Sequence, residues 1–193
     1  MAVDATLKAL RDATGVSIMQ CKKALEEAGG DIEKAKTILR KASTTLASKK
    51  AERSLGAGVA AAYTHAGGSV VGAVILACET DFVSRNEEFQ KLAYDIAMHV
   101  AAMNPRFRSR DDVTDDEMQA LRESFEQEVQ NVPEAARVRA REGKVDGFLR
   151  ENVLLEQPFV KDPTTTVRIL LDSAVQKFGE KIELVRFERL SVK

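Results

Sequence analysis

The residues best suited to chemistry lie in one polar stretch, Glu79–Asn86, which follows an apolar run. Glu79 and Asp81 are two carboxylates that could act with a histidine as a general acid and base. The candidate histidine, His99, falls on a predicted helix beside an apolar stripe, where a lone histidine is usually structural. No convergent set of acid, base and nucleophile can be assembled. The sequence therefore argues against a small hydrolase and against enzymatic activity in general.

Other residue types that could hold a metal ion or RNA do not form recognisable sites. Cys21 and Cys78, with two histidines, lack zinc-ligand spacing and are typical of buried free thiols in a reducing cytoplasm. The acids between residues 111 and 117 lack the glycine and distal glutamate of an EF-hand, so we predict helix-start acids. The arginine runs at 106–110 and 137–141 have few stacking aromatics and are predicted to be solvated faces. We expect no cofactor and no metal.

Composition excludes several classes of protein. The chain has 193 residues, 44% hydrophobic and 31% charged, with a net charge of −1, as in a soluble globular protein. A near-neutral charge disfavours direct nucleic-acid binding, which requires a basic excess. The longest apolar stretch, Val70–Cys78, is about half the roughly 20 residues of a membrane-spanning helix. The N-terminus lacks the layout of a secretory signal.

The elements that must position these residues begin with three short helices. Ser17 and Gln20 have the form of a capping box, Gly29-Gly30 ends the second helix, and Asp31 can cap the third. A bundle of this size resembles a ubiquitin-associated domain, which we assign to residues 1–46. The polar and glycine-rich residues 47–58 are predicted to be a linker.

Residues 59–193 predict an α+β core, in which a small antiparallel sheet packs with helices. Val59–His65 and Val70–Cys78 form a hairpin around a glycine pair, and Ile182–Leu190 is the final strand. The second strand is apolar on both faces, so both should be covered. A long helix capped by Asn86 carries the apolar stripe Phe89, Ala93, Ile96, Val100 and Met103.

Five further segments follow this long helix. A capping box at Thr114 begins one helix, Pro133 precedes a shorter one, and a separate helix surrounds Phe148. Glu156–Pro163 is predicted to be an irregular loop because it contains two prolines. The last helix, 167–178, is closed by a glycine.

The segment Glu79–Asn86 lies between a buried strand and a long helix, so a rigid scaffold should hold it at an edge. From the residues alone, the simplest interpretation is that Phe82 fills the core. Four motifs point further, and in chain order they are LRDATG through CKKAL at 10–25, TDFVSRN at 80–86, IAMHVAAMNP at 96–105 and LEQPFVKD at 155–162. Together they resemble elongation factor Ts over essentially the whole chain. The chain resembles the short form, without the long inserted helical hairpin of larger members.

The resemblance implies a cytoplasmic guanine-nucleotide exchange factor for the GTPase elongation factor Tu. In the family the N-terminal domain docks on the G domain, and the core presents an Asp-Phe pair beside the nucleotide and Mg²⁺. The aromatic ring wedges between helices, disturbs the Mg²⁺ position and loosens GDP. By position, the implied loop residues are Thr80, Asp81, Phe82 and Val83. The other implied contact residues are Arg11, Ile18, Met19 and, more weakly, His65.

Departures from the family and alternative functions complete the expectations. Ser17, Gln20 and Ser84 stand where the family often has glycine, aspartate and alanine. Short members dimerise through a sheet, and the edge of the final strand makes a homodimer the expectation here. One alternative is an adaptor that binds the GTPase without accelerating GDP loss. Another is an RNA-associated ribosomal accessory protein, which would bind RNA in a salt-sensitive way.

Overall fold

The fold is α+β, as predicted. A computed structural model describes residues 2–192. The helices are α1 (Ala2–Thr14), α2 (Ile18–Glu27), α3 (Ile32–Lys50), α4 (Asp81–Ser84), α5 (Glu87–Met103), α6 (Asp115–Glu128), α7 (Glu134–Asn152) and α8 (Val167–Phe178). The strands are β1 (Ala57–Thr64), β2 (Val70–Cys78), β3 (Pro158–Phe159), β4 (Asp162–Thr166) and β5 (Ile182–Ser191).

Packing divides the chain into two compact units. The first contains the N-terminal residues through Ala61, with Val74–Asp95 and Arg168–Val185. The second contains Ala62–Ala73, Ile96–Val167 and the residues from Arg186 onward. The domain boundaries at 46 and 58 stay a prediction. The helix α3 continues to Lys50, into the segment predicted to be a linker.

The predicted bundle of α1, α2 and α3 is confirmed in the first unit. The Ser17 hydroxyl accepts a hydrogen bond from the Gln20 N–H, and the Asp31 carboxylate accepts one from Lys34, so side chains start α2 and α3. The bundle also contacts α8 within this unit, since the Ser43 hydroxyl donates to Gln176 over 2.8 Å. Its core consists of Leu10, Val16, Cys21, Ala24, Leu25, Ala35 and Leu39.

Three strands form the main sheet, in the order β1-β2-β5, which confirms the hairpin and the final strand. Gly72 brings β2 against α5, because a Cβ there would lie 2.1 Å from the carbonyl oxygen of Ala97. The prediction that both faces of β2 are covered is wrong at Ile75, which is 40% exposed. Its neighbours Val74 and Leu76 are buried on the opposite face.

In the second unit, two predictions from the sequence are wrong. Pro133 is followed by one 19-residue helix, α7, rather than by two short ones. Its periodicity is weak because only Val145 and Leu149 are buried, and packing against α6 stabilises it, including an edge contact between Phe125 and Phe148.

The segment Glu156–Pro163 is also not irregular throughout, since β3 and β4 pair as an antiparallel ribbon. Pro158 begins β3 and Pro163 lies in β4 of a two-stranded ribbon. Strand starts and edge positions tolerate the missing N–H donor of proline.

Candidate functional site

One helical turn, α4, lies between the end of β2 and the start of α5. Val83 is 4% exposed and anchors this turn in the core, whereas Phe82 is 83% exposed. Adjacent residues of a helix point about 100° apart. Burial of one side chain can therefore direct its neighbour to solvent. The interpretation that Phe82 fills the core is wrong, because Val83 does so instead.

Asp81 and the residues that flank α4 complete the local geometry. The Asp81 carboxylate is exposed and lies 3.0 Å from the Arg85 guanidinium, one turn along the chain. The Asn86 side-chain oxygen accepts a hydrogen bond of 2.9 Å from the Glu88 N–H and so starts α5, as predicted. Asp81 and Phe82 are thus the first two residues of a one-turn helix that leads directly into the capped start of α5.

Hydrogen bonds from a distant segment hold the residues just before α4. Glu180, directly after the glycine that ends α8, accepts bonds from the N–H groups of Glu79 and Thr80 at 3.1 and 3.0 Å. The Thr80 hydroxyl donates to the same carboxylate over 2.6 Å. The Cys78 thiol donates to the Thr80 carbonyl. Sequence reasoning missed Glu180, because no local pattern connects residues about 100 positions apart.

The acid–base interpretation of Glu79 and His99 does not fit the geometry. Glu79 accepts from the Lys181 N–H at 2.5 Å and from Arg53 at 3.3 Å, and the first of these bonds is the main reason that the pKa of Glu79 is lowered. A carboxylate stabilised in its charged form by such bonds is a poor general base.

His99 is fully buried, and both of its ring nitrogens have partners. Its Nε2–H donates to the Gln157 side-chain oxygen over 3.0 Å, and its Nδ1 accepts from the Val160 N–H over 3.1 Å. The Gln157 amide nitrogen donates to the Glu151 carbonyl, which fixes the amide orientation. Burial is the main cause that lowers the pKa of His99. The histidine therefore supports the β3–β4 ribbon as a neutral imidazole.

The predicted N-terminal contact residues surround the turn between α1 and α2. Arg11 is exposed in the last turn of α1, and its carbonyl accepts the Gly15 N–H over 2.7 Å. Gly15 has the left-handed φ of 65°, which favours glycine at this turn. Ile18 and Met19, at the start of α2, are 49% and 75% exposed. The elements on either side of this turn thus expose a cation at the end of α1 and two apolar side chains at the start of α2.

The end of α8 connects that turn with the start of α5 inside the first unit. The Lys177 side chain passes Gly15, with its Cδ 3.0 Å from the position that a Cβ would take there. Its ammonium lies 2.7 Å from the Glu88 carboxylate. Both predicted contact segments of this unit therefore contact the last turn of α8 or the residues just after it.

His65 lies in the second unit, where β1 ends in the turn of the hairpin. It is exposed, and its Nδ1 lies 3.3 Å from the Tyr63 hydroxyl. The structure thus presents His65 at a surface, paired with Tyr63.

The acids and arginines near residue 110, considered above as metal or RNA sites, hydrogen-bond to other side chains and to the backbone. The Asp112 carboxylate accepts from the Ser109 N–H and hydroxyl, and the Arg108 hydrogen bond is the main cause that lowers its pKa. Arg110 bonds to Asp146 and Glu156. Among the residues that the structure describes, no three His, Cys, Asp or Glu side chains gather as metal ligands. Within the same part of the chain, no helix has the length and apolarity that a membrane crossing requires.

Comparisons with known proteins agree with the motifs. The family model described as Elongation factor TS matches residues 17–193. A relative named elongation factor Ts from Thermosipho melanesiensis is 45% identical over 188 residues, 96% of each chain. Another, from Thermodesulfovibrio yellowstonii, is 42% identical over 195 residues, 100% of this chain and 97% of the relative. A third, from Desulforamulus reducens, is 43% identical over 95% of this chain and 85% of the relative.

Similarity of this extent covers the bundle, the turn α4 and the ribbon that His99 supports. The family implies nucleotide exchange on elongation factor Tu during translation elongation. The chain belongs to the elongation factor Ts family.

Proposed function

We propose that this protein releases GDP from elongation factor Tu by inserting Asp81 and Phe82 beside the nucleotide and its Mg²⁺. The observation that carries this proposal is the 83% exposure of Phe82 on a turn that is anchored by a buried neighbour. A large exposed aromatic side chain on a rigid support is a typical binding hot spot. Asp81 adds a carboxylate that would face the phosphate and Mg²⁺ region, and Thr80 and Val83 hold the pair in place.

No proton transfer is needed for this activity. An exchange factor and a nucleotide that weaken each other's binding do so reciprocally, so insertion of Phe82 would lower GDP affinity as much as GDP lowers affinity for the factor. An aromatic anchor is worth about 2–4 kcal/mol, or about 30- to 1000-fold in this coupling. The protein itself would need no cofactor and no catalytic group.

The N-terminal bundle supplies the proposed docking surface. Ile18 and Met19 would pack on the G domain, and Arg11 would pair with an acidic group at its edge. We assign docking to residues 1–46, a connection to 47–58 and insertion to the core at 59–193. His65, at the hairpin turn, would add a weaker polar contact. The action belongs to translation in the cytoplasm, with no direct contact to nucleic acid or membrane.

We further propose a homodimer through β5. This strand is an edge of the sheet, and the exposed side chains of Val185 and Leu190 add apolar surface to it. Such an edge is a template for pairing with a second chain. Sedimentation velocity should give the mass of a dimer for the unmodified protein and of a monomer for Leu190→Lys. A monomeric unmodified protein at micromolar concentration would refute the homodimer.

Stopped-flow release of a fluorescent GDP analogue from bacterial elongation factor Tu tests the exchange function. The unmodified protein should accelerate release strongly, and Phe82→Ala should lose about 30- to 1000-fold of that acceleration while its circular dichroism is unchanged. Val138→Ala is a matched control, because Val138 is an exposed apolar residue on α7 that is not a predicted contact. A folded Phe82→Ala variant with full activity would refute the insertion. Binding without acceleration would favour an adaptor.

A further inference from the structure

The carboxylate of Glu180 accepts three hydrogen bonds from the two residues that lead into α4. One oxygen accepts the N–H groups of Glu79 and Thr80, and the other accepts the Thr80 hydroxyl, at distances of 2.6 to 3.1 Å. Hydrogen bonds to a charged acceptor are stronger than those between neutral groups. Glu180 thus fixes the direction in which the chain enters the turn.

The backbone on either side of Glu180 is itself held by hydrogen bonds. The Lys50 ammonium donates to the Gly179 carbonyl over 2.7 Å, and the Lys50 residue is only 8% exposed. The Lys181 N–H donates to Glu79, so the two segments are joined in both directions. The carboxylate of Glu180 is therefore presented from a fixed backbone rather than from a loose end.

Phe82 depends on this support more than a buried side chain would. Because it is 83% exposed, its own packing contributes little to its orientation. Val83 is the one buried residue of α4, so a single side chain fixes this one-turn helix against the core. The bonds at residues 79 and 80 add a second point of attachment, at the start of the turn.

We propose that Glu180 is a positioning residue for nucleotide exchange, which holds α4 so that Phe82 meets the GTPase in a preformed orientation. This role rests on the proposed function of Phe82. A group that is ordered before binding avoids the entropic cost of being ordered in the complex. Without Glu180, that cost would fall on each encounter with the GTPase and slow GDP release.

Three substitutions separate hydrogen bonding from charge. Glu180→Ala should lower the second-order rate constant of GDP release about tenfold, as expected for the loss of a few hydrogen bonds. Glu180→Asp keeps the charge but withdraws the carboxylate by one methylene, and it should also lower the rate. Glu180→Gln should stay within about threefold of the unmodified protein, because its amide oxygen can accept the two N–H groups and its NH₂ group can donate to the Thr80 hydroxyl oxygen. Glu123→Ala on α6 removes an equal charge as a control.

A double-mutant cycle with Phe82→Ala distinguishes positioning from general stabilisation. If Glu180 acts through Phe82, Glu180→Ala should change the rate by less than about twofold in the Phe82→Ala background. Hydrogen exchange at the Thr80 amide should speed up in Glu180→Ala alone. Full additivity of the two substitutions, or Glu180→Gln as slow as Glu180→Ala, would refute positioning by hydrogen bonds.

The same data separate the two proposals. If Phe82→Ala slows release but folded Glu180→Ala and Glu180→Asp keep the rate of the unmodified protein, the positioning role of Glu180 is refuted and the insertion of Phe82 is not. Unmodified release by folded Phe82→Ala would refute the insertion, and the role of Glu180 with it.

Discussion

Substitution of Met19 by alanine should weaken docking on the GTPase without slowing GDP release from the complex once it has formed. Met19 is 75% exposed at the start of α2, so its truncation costs little in the free protein. Full burial of a methionine side chain is worth about 1.5–3 kcal/mol, and three quarters of that is still available for an interface, about 1–2 kcal/mol. Met19→Ala should therefore raise the half-saturating concentration about 5- to 30-fold.

The assay measures the rate of GDP release against the concentration of the factor. Docking contacts present before and during release act as uniform binding, so the maximal rate in the complex should stay within about twofold. Phe82→Ala should instead lower the maximal rate. Met103→Ala, which truncates a partly exposed methionine at the end of α5, is the matched control and should change neither quantity.

One result would refute this division of roles. If Met19→Ala lowers the maximal rate as much as Phe82→Ala does, the bundle takes part in nucleotide displacement itself. A half-saturating concentration equal to that of the unmodified protein would instead remove Met19 from the docking surface.

Two predictions concern stability, measured by urea unfolding. Burial lowers the pKa of His99 in the folded protein. Below about pH 6.5 the unfolded chain therefore binds more protons than the folded protein does. The free energy of unfolding should decrease as the pH falls, by up to about 1.4 kcal/mol per pH unit. Between pH 7 and 5.5, His99→Gln should reduce this fall. Gly72→Ala should cost about 3 kcal/mol or more, because its Cβ meets the Ala97 carbonyl at 2.1 Å. Gly143→Ala, in open space inside α7, should instead stabilise by about 0.5–1 kcal/mol. An equal effect of the two alanines, or no change in the pH dependence with His99→Gln, would contradict these arguments.

The elements that the sequence predicted well are those with local signals. Ser17, Asp31 and Thr114 cap helices through side chains that bind N–H groups three residues along the chain, and Asn86 starts α5 through a bond two residues along. The hairpin has a glycine pair at its turn, with φ values of 76° and 73°. Patterns of this kind are visible in a short window of residues.

The features that the sequence did not predict depend on partners far along the chain. The helix α7 contains glycines and few buried residues, and ion pairs such as Arg141 with Glu126 join it to α6. The choice between Phe82 and Val83 as the core residue could not be made from their types, since both are apolar. Glu180 was missed because its three donors lie about 100 residues away along the chain.

The last turn of α8 and the residues just after it contact both the proposed docking turn and the segment that leads into α4. A flexible link would let Ile18 and Met19 hold the GTPase while Phe82 searched for its place, so docking would raise only the local concentration of the aromatic ring. Lys177 instead contacts the turn at Gly15 and pairs with Glu88 at the start of α5. Glu180, three residues later, holds the start of α4. Under the proposed function, these contacts would let docking of the bundle set the direction of Phe82, so that binding energy gained at one segment acts on the other.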